Sequence, residues 1–131
     1  MKEVVKFLKD SGTFYLATAE ANGQPHVRPF GAVTIFEDKV YIITNNQKQV
    51  YDQLIANPKI EISGMVKDKW IRLSAEAYPD DRREARVAML EDNESLSAMY
   101  NADDNLMVVF YLKNATAEIC SFTAEPKIIR F

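Results

Sequence analysis

The sequence predicts a mainly β protein in which antiparallel strands close into a small barrel with peripheral helices. Short apolar segments alternate with tight turns, neighbouring strands are joined by few residues, and only a few segments have helical periodicity. Six or seven short strands in 131 residues favour closure, because a closed barrel leaves no exposed sheet edge. An open antiparallel sheet with helices on one face is the alternative.

The first half of the chain begins with an amphipathic helix and continues through strands. Residues 1–10 place apolar side chains among charged ones at helical spacing, and Ser11-Gly12 ends this segment. A helix is predicted over 47–57. It is expected to end there, because proline at 58 disfavours helix in the residue before it. The predicted strands here are 14–19, 26–36 and 39–45, with turns at Asn22-Gly23 and Glu37-Asp38.

The second half contains more strands and one further helical region. Pro79-Asp80-Asp81 leads into a helix, and residues 96–100 add a short helical piece. Residues 105–122 are expected to form a hairpin around Lys113-Asn114. The predicted strands are 59–66, 69–78, 105–112 and 115–122, and residues 127–131 are a further candidate for a terminal strand. The whole chain, 1–131, is predicted to be one domain, since its length leaves little room for a second core.

The composition argues against nucleic acid, membranes and metal ions as partners of this protein. A net charge of −3 gives no support for a nucleic-acid surface. No apolar run approaches the length of a membrane span and no signal peptide is recognisable, so we expect a cytoplasmic protein without a membrane partner. Cys120 is the lone cysteine and is expected to be buried, while His26 is the only histidine, which argues against a metal site.

The stretch from His26 to Lys48 is the strongest indication of a binding site. Arg28 lies within one predicted strand, and Lys48 follows the next strand at the start of a helix. Arginine binds phosphate oxygens in pairs, and the free N–H groups of a helix start favour anions. Thr44, Asn45 and Asn46 are further donors, or else cap the helix. The stretch therefore predicts a site for a phosphorylated cofactor; the alternatives are a carboxylate-paired Arg28 and a solvated Lys48.

Pro29 places a second constraint on this stretch. Proline cannot donate to a sheet ladder, so the strand is expected to be an edge strand or irregular at that point. Backbone groups near Arg28 and Phe30 are then free to meet a flat heterocycle, although a simple bulge is an equal alternative. No glycine-rich phosphate loop and no catalytic carboxylate pair is recognisable, so a bound cofactor would supply the chemistry and catalytic residues are not assigned.

Several segments, taken in order, carry a resemblance to a known family. They are Phe14-Tyr15-Leu16-Ala17-Thr18, Gly23-Gln24-Pro25-His26-Val27-Arg28-Pro29, Val40-Tyr41-Ile42-Ile43-Thr44, Lys48, and Leu54-Ile55-Ala56-Asn57-Pro58-Lys59-Ile60-Glu61-Ile62-Ser63. Over about the first 80 residues the chain resembles the pyridoxamine 5'-phosphate oxidase-like family of FMN-binding split barrels. The resemblance implies a six-stranded antiparallel split β-barrel, a homodimer, and FMN in a groove between the two subunits.

The resemblance also implies roles for individual residues. Arg28 and Lys48 would hold the FMN phosphate, and Thr44 and Asn45 would lie near it. Pro29 and Phe30 would lie along the flavin ring, and Trp70 would approach it from the partner subunit, although packing is an alternative for Trp70. The implied cofactor-binding residues are Arg28, Pro29, Phe30, Thr44, Asn45, Lys48 and Trp70.

The end of the chain departs from the vitamin B6 oxidase. Residues 119–131 contain no Arg-x-His element of the kind that binds the pyridoxal substrate, so that substrate is not expected. Size and layout also resemble the related nitroimidazole-resistance proteins, but their functional histidine does not match His26 clearly. The leading expectation is an FMN-dependent oxidoreductase that passes electrons from a nicotinamide donor to a small molecule. The alternatives are a non-catalytic flavin- or small-ligand-binding protein and an FMN-free structural dimer.

Overall fold

The computed structural model describes every residue from Met1 to Phe131 and is built around one antiparallel sheet. The helices are α1 (Lys2–Ser11), α2 (Gln49–Ala56) and α3 (Arg83–Asp92), followed by a 3-10 helix (Glu94–Ala98). The strands are β1 (Phe14–Ala19), β2 (Pro25–Phe30), β3 (Val33–Phe36), β4 (Lys39–Asn45), β5 (Lys59–Val66), β6 (Lys69–Asp80), β7 (Met107–Cys120) and β8 (Lys127–Arg130). The predicted mainly β class is confirmed, with eight strands rather than six.

The order of the strands makes the sheet curl into a split barrel. Neighbours run β2-β1-β5-β6-β7-β4-β3, and β8 lies beside β7. The two ends of this path, β2 and β3, are consecutive in the chain and are separated only by Gly31 and Ala32. Such a link spans at most about 11 Å from Phe30 to Val33, so the ends of the path must meet. They do not pair with each other, which leaves the barrel split at this point.

The single strand predicted over 26–36 is wrong, because it is two strands that pair with different partners. β2 pairs with β1, whereas β3 pairs with β4. Pro29 lacks an N–H group, and the ladder of β2 ends one residue later, at Phe30. The expected edge position of Pro29 is confirmed, since β2 lies at one end of the path. This break is what opens the barrel beside Arg28.

The hairpin predicted around Lys113-Asn114 is also wrong, because β7 runs unbroken from Met107 to Cys120. Asn114 has a left-handed backbone with φ 52°, which is a local signal for a turn. β6 lies beside β7 on both sides of this position and shifts register between Ser74 and Glu76. The residue therefore bends a long strand instead of reversing it, as at a β-bulge. The turn at Glu37-Asp38, with φ 48° and 59°, is confirmed.

The core fills the barrel and extends beneath the helices. Its main cluster contains 21 buried side chains, including Val4, Val5 and Leu8 of α1. A smaller cluster lies under α3, where Ala85 and Met89 meet β4 and β7. Docking of α3 there brings the 3-10 helix and the residues after it over the open side of the barrel. None of the helices is long and apolar enough to cross a membrane.

Candidate functional site

A cavity of about 290 Å³ opens beside the link between β2 and β3. Its walls come from β2 and this link, from the end of β4 and the start of α2, and from the segment 93–100. Five of the residues expected to bind the cofactor line it, namely Arg28, Pro29, Phe30, Thr44 and Lys48. Residues from two strands that are separate in the sheet path therefore meet in one place, because the path closes on itself there.

Arg28 is a partly buried cation held by neutral groups alone. Its Nη1 donates to the carbonyl oxygens of Leu16 at 3.2 Å and His26 at 3.3 Å, and to Thr18 Oγ1 at 2.9 Å. Its Nη2 donates to Gln53 Oε1. Burial lowers the pKa of Arg28, and no carboxylate lies within ion-pair distance. The carboxylate-paired alternative is therefore wrong, and the positive charge is uncompensated within the chain.

The end of β4 and the start of α2 add further donors to the cavity. Thr44 is 4% exposed and lines the cavity with its side chain at the end of β4. Lys48 occupies the N-cap of α2 in extended conformation, with φ −91° and ψ 148°, and no side chain caps this helix. The first N–H groups of α2 consequently have no side-chain acceptor, and they add the positive end of the helix dipole.

Capping of α2 by a neighbouring polar residue, expected from the sequence, does not occur. Asn45 Oδ1 accepts from the backbone N–H of Gln47 at 3.0 Å, and its Nδ2 donates to the hydroxyl of Tyr100 at 2.8 Å. Asn46 Nδ2 donates to the carbonyl oxygen of Asn105 at 2.9 Å. Both amides fix loops instead of the helix end. Asn45 reaches the cavity only indirectly, through Tyr100, which lines it.

Trp70 lies away from the cavity of its own chain. It pairs with Met65 of β5 and Cys120 of β7 on the outer face of the sheet, and its ring centroid is 5.0 Å from that of Phe122. Within one chain the residue packs against a neighbouring aromatic side chain. Trp70 does not line the cavity, so a contact with a ligand bound there would have to come from another subunit. Cys120 is 9% exposed, as expected for a buried cysteine.

Sequence reasoning missed the third wall of the cavity. This wall consists of Asn93, Ser95, Leu96, Met99 and Tyr100. Asn93 Nδ2 donates to the carbonyl oxygens of Val33 and Met89, which ties the segment to β3 and α3. The sequence shows only a short helical piece here, and no local signal relates it to β2. Its position depends on the docking of α3, which is a tertiary effect.

The chemical character of the cavity is that of an anion site beside an apolar surface. Arg28 and Lys48 are the charged residues that line it, and no carboxylate does so. Half of the lining residues are hydrophobic, among them Phe30 and Leu96. No group of three or more metal-ligating side chains exists in the chain, and His26 does not line the cavity. This arrangement can hold a molecule with an anionic group and a flat apolar body.

The fold defines a split-barrel protein with a cavity where the barrel is split. The family model described as "Pyridoxamine 5'-phosphate oxidase" matches residues 1–119. The chain therefore belongs to the pyridoxamine 5'-phosphate oxidase family, as the order of its sequence segments indicated. No curated protein matches the chain in sequence.

Solved structures agree with this assignment. A NimC/NimA family protein from Clostridium acetobutylicum is 48% identical, with a TM-score of 0.94, and the match covers 100% of this chain and 93% of that one. General Stress Protein 26 from Bacillus anthracis is 16% identical, with a TM-score of 0.77 over 99% and 97% of the two chains. HutZ, the haem storage protein from Vibrio cholerae, is 18% identical, with a TM-score of 0.67 over 86% and 87%. The last two show the fold alone.

Proposed function

We propose that this chain is an FMN-binding domain and an oxidoreductase acting on a small molecule, with FMN held at a homodimer interface. The observation that carries the proposal is the uncompensated positive charge in the cavity. Arg28 has only neutral partners, and the N-terminus of α2 has no side-chain cap. A phosphate ester would satisfy both, because it is anionic and accepts several hydrogen bonds.

The remaining lining supports a flavin as the body of this ligand. Pro29 and Phe30 form an apolar surface where β2 leaves the sheet, and backbone groups of the link to β3 are free of ladder pairing. Thr44 adds a hydroxyl group to the lining of the same cavity. Bound FMN would supply the transfer of hydride or single electrons, while these residues bind it, orient it and exclude water.

The outer face of the sheet supports the proposal of a homodimer. Tyr15 is 50%, Val27 67% and Met65 57% exposed, and these side chains lie on the outer face of adjacent strands. Exposed apolar side chains on neighbouring strands are typical of a protein interface. The cavity of one chain, about 290 Å³, is at the lower limit of ligand sites, so a second subunit would complete it. Trp70 on the same face would then be available to the partner's flavin.

Haem is a less suitable ligand for this cavity, although a structural neighbour is a haem storage protein. Histidine is a common axial ligand of haem iron, and His26 does not line the cavity. The donors that do line it, including Arg28, Lys48 and Thr44, favour a phosphate over an iron centre. The donors of the cavity therefore suit FMN better than haem.

Purification tests the cofactor directly. We expect a yellow protein with flavin absorbance that releases FMN on denaturation, and a dimer in light scattering. A colourless protein that cannot be loaded with FMN would contradict both the enzyme and the non-catalytic flavin-binding alternative. An apoprotein that takes up haem in stoichiometric amounts, and no FMN, would reverse the preference between the two ligands.

Turnover separates an enzyme from a binder. The FMN-loaded protein is expected to oxidise NADH or NADPH continuously when a small electron acceptor is present. A protein that binds FMN with high affinity but gives no turnover with either donor would favour the non-catalytic alternative. Free FMN at the same concentration is the control for non-enzymatic electron transfer.

A further inference from the structure

The guanidinium of Arg28 is held along one of its two edges. Thr18 Oγ1 accepts from Nη1 at 2.9 Å, and Gln53 Oε1 accepts from Nη2. These two acceptors are 2.6 Å apart, because the Thr18 hydroxyl donates to Gln53 Oε1. They therefore share the edge between Nη1 and Nη2, and the main-chain oxygens of Leu16 and His26 take the remaining direction of Nη1.

The other edge of the guanidinium makes no hydrogen bond with the chain. It consists of Nε–H and the second Nη2–H, and neither has an acceptor among the hydrogen bonds of Arg28. This edge is a two-donor fork of the geometry that binds two phosphate oxygens together. Arg28 lines the cavity, so the fork is available to a ligand there.

The groups that hold Arg28 are neutral, so its positive charge is not compensated within the chain and is available to an anionic ligand. Thr18 is 2% exposed, and Gln53 comes from the inner side of α2. A glutamate at position 53 would accept the same two hydrogen bonds but would neutralise the guanidinium. An amide instead orients the arginine and leaves its full charge for an external anion.

We propose that Thr18 and Gln53 are positioning residues that present the free edge of Arg28 to a phosphate monoester, and thereby make the site select phosphorylated over unphosphorylated flavin. This inference rests on the proposed FMN function. The two residues do not touch the ligand; they act through Arg28. Selectivity for the phosphate is the property that distinguishes this role from a contribution to folding alone.

The test is the ratio of the affinities for FMN and riboflavin, measured on apoprotein by quenching of flavin fluorescence. Gln53→Glu is expected to weaken FMN binding by about tenfold to a hundredfold, as for a lost charge-assisted hydrogen bond, with riboflavin affinity changed less than about twofold. Thr18→Val keeps the shape of the side chain but removes its hydrogen bonds with Arg28 and Gln53, and it is expected to weaken FMN binding by about threefold to tenfold. Gln24→Glu makes the same amide-to-carboxylate change at an exposed turn and is expected to leave the ratio unchanged.

Thermal unfolding of each variant shows whether the fold is retained, and Gln53→Glu is expected to be at least as stable as the parent because it gains an ion pair with Arg28. Should that variant fail to fold, the ratio in Thr18→Val decides the question. An unchanged ratio in the folded variants, with FMN preferred by the parent, would overturn the positioning role alone. A parent protein that binds riboflavin as tightly as FMN would instead overturn the phosphate site of the proposed function.

Discussion

The side-chain amide of Asn45 donates a hydrogen bond of 2.8 Å to the hydroxyl of Tyr100, 55 residues further along the chain. The orientation of this amide is fixed, because its oxygen accepts from the backbone N–H of Gln47, which can only donate. The NH₂ end must therefore face Tyr100. This bond joins the end of β4 to the segment that forms the third wall of the cavity.

Removal of this bond is expected to loosen the cavity wall without unfolding the barrel. Tyr100→Phe should lower the free energy of unfolding by about 1 kcal/mol, the usual net value of one hydrogen bond. Asn45→Ala should lower the free energy of unfolding further, since it also removes the hydrogen bond from the backbone N–H of Gln47. A double-mutant cycle measured by urea unfolding checks the pair, and a coupling energy near zero would contradict the contact.

The basic residues of the cavity give a direct test of the phosphate assignment. Arg28→Ala or Lys48→Ala is expected to weaken FMN binding by about 1.5–3 kcal/mol, as for a lost charge-assisted hydrogen bond. Lys67→Ala removes the same charge as Lys48→Ala from an exposed turn between β5 and β6 and is the control. Fluorescence titration of the apoproteins measures the affinities. FMN affinity equal to that of the parent in both cavity variants would remove the phosphate assignment.

Stability at high pH is expected to depend on the buried phenol of Tyr41. Its hydroxyl donates to Asp80 at 2.7 Å, and burial together with this bond raises the pKa of Tyr41 to about 12. In the unfolded chain the phenol titrates near pH 10. The folded state therefore binds the phenolic proton more tightly than the unfolded chain does. The contribution of protonated Tyr41 to the free energy of unfolding is complete below pH 10 and is lost as the pH rises through about 12.

At high pH the free energy of unfolding should fall by about 2–3 kcal/mol in the parent, and this fall should be absent in Tyr41→Phe. Urea unfolding between pH 8 and 12 measures it. Tyr51→Phe is the control, because this phenol is half-buried, lies outside the proposed interface and makes no hydrogen bond in the chain. Equal pH dependence of the parent and Tyr41→Phe would show that another group is responsible.

Asp80 has the opposite dependence on pH. Hydrogen bonds from Arg82, followed by the one from Tyr41, hold the pKa of Asp80 well below its usual range. Its contribution to stability is therefore present above about pH 4 and is lost as the pH falls through the lower pKa of the folded state. Asp80→Asn is expected to reduce the acid sensitivity of the free energy of unfolding. Acid titrations of parent and variant that run parallel would contradict this.

A matched pair of glycine variants tests the packing of α1 on the sheet. A Cβ at Gly64 would lie 3.2 Å from Ser11 Oγ and 3.3 Å from Phe14 Cβ, whereas a Cβ at Gly31 would meet nothing within 4 Å. Gly64→Ala is expected to be less stable than Gly31→Ala by about 1 kcal/mol, because overpacking forces neighbours apart. Denaturant unfolding compares the two, and equal stability would mean that Ser11 moves aside at no cost.

Local sequence patterns predicted most elements but not all of their connections. The α1 segment, the turn at Glu37-Asp38 and the terminal strand are confirmed, because periodicity and turn chemistry are properties of adjacent residues. The strand over 26–36 and the hairpin at Lys113-Asn114 are wrong, since each depends on which distant strand supplies the ladder partner. Pairing with β6 overrides the turn signal of Asn114.

The sequence by itself determined the mainly β class, the family, and a set of polar residues between 28 and 48, because these depend on order and spacing along the chain. Only the tertiary structure decided that Arg28 has neutral partners, that Asn45 and Trp70 lie outside the cavity, and that the segment 93–100 forms its third wall. The physical reason is the closure of the sheet. It brings β2 and β4 together although they are five strands apart along the pairing order.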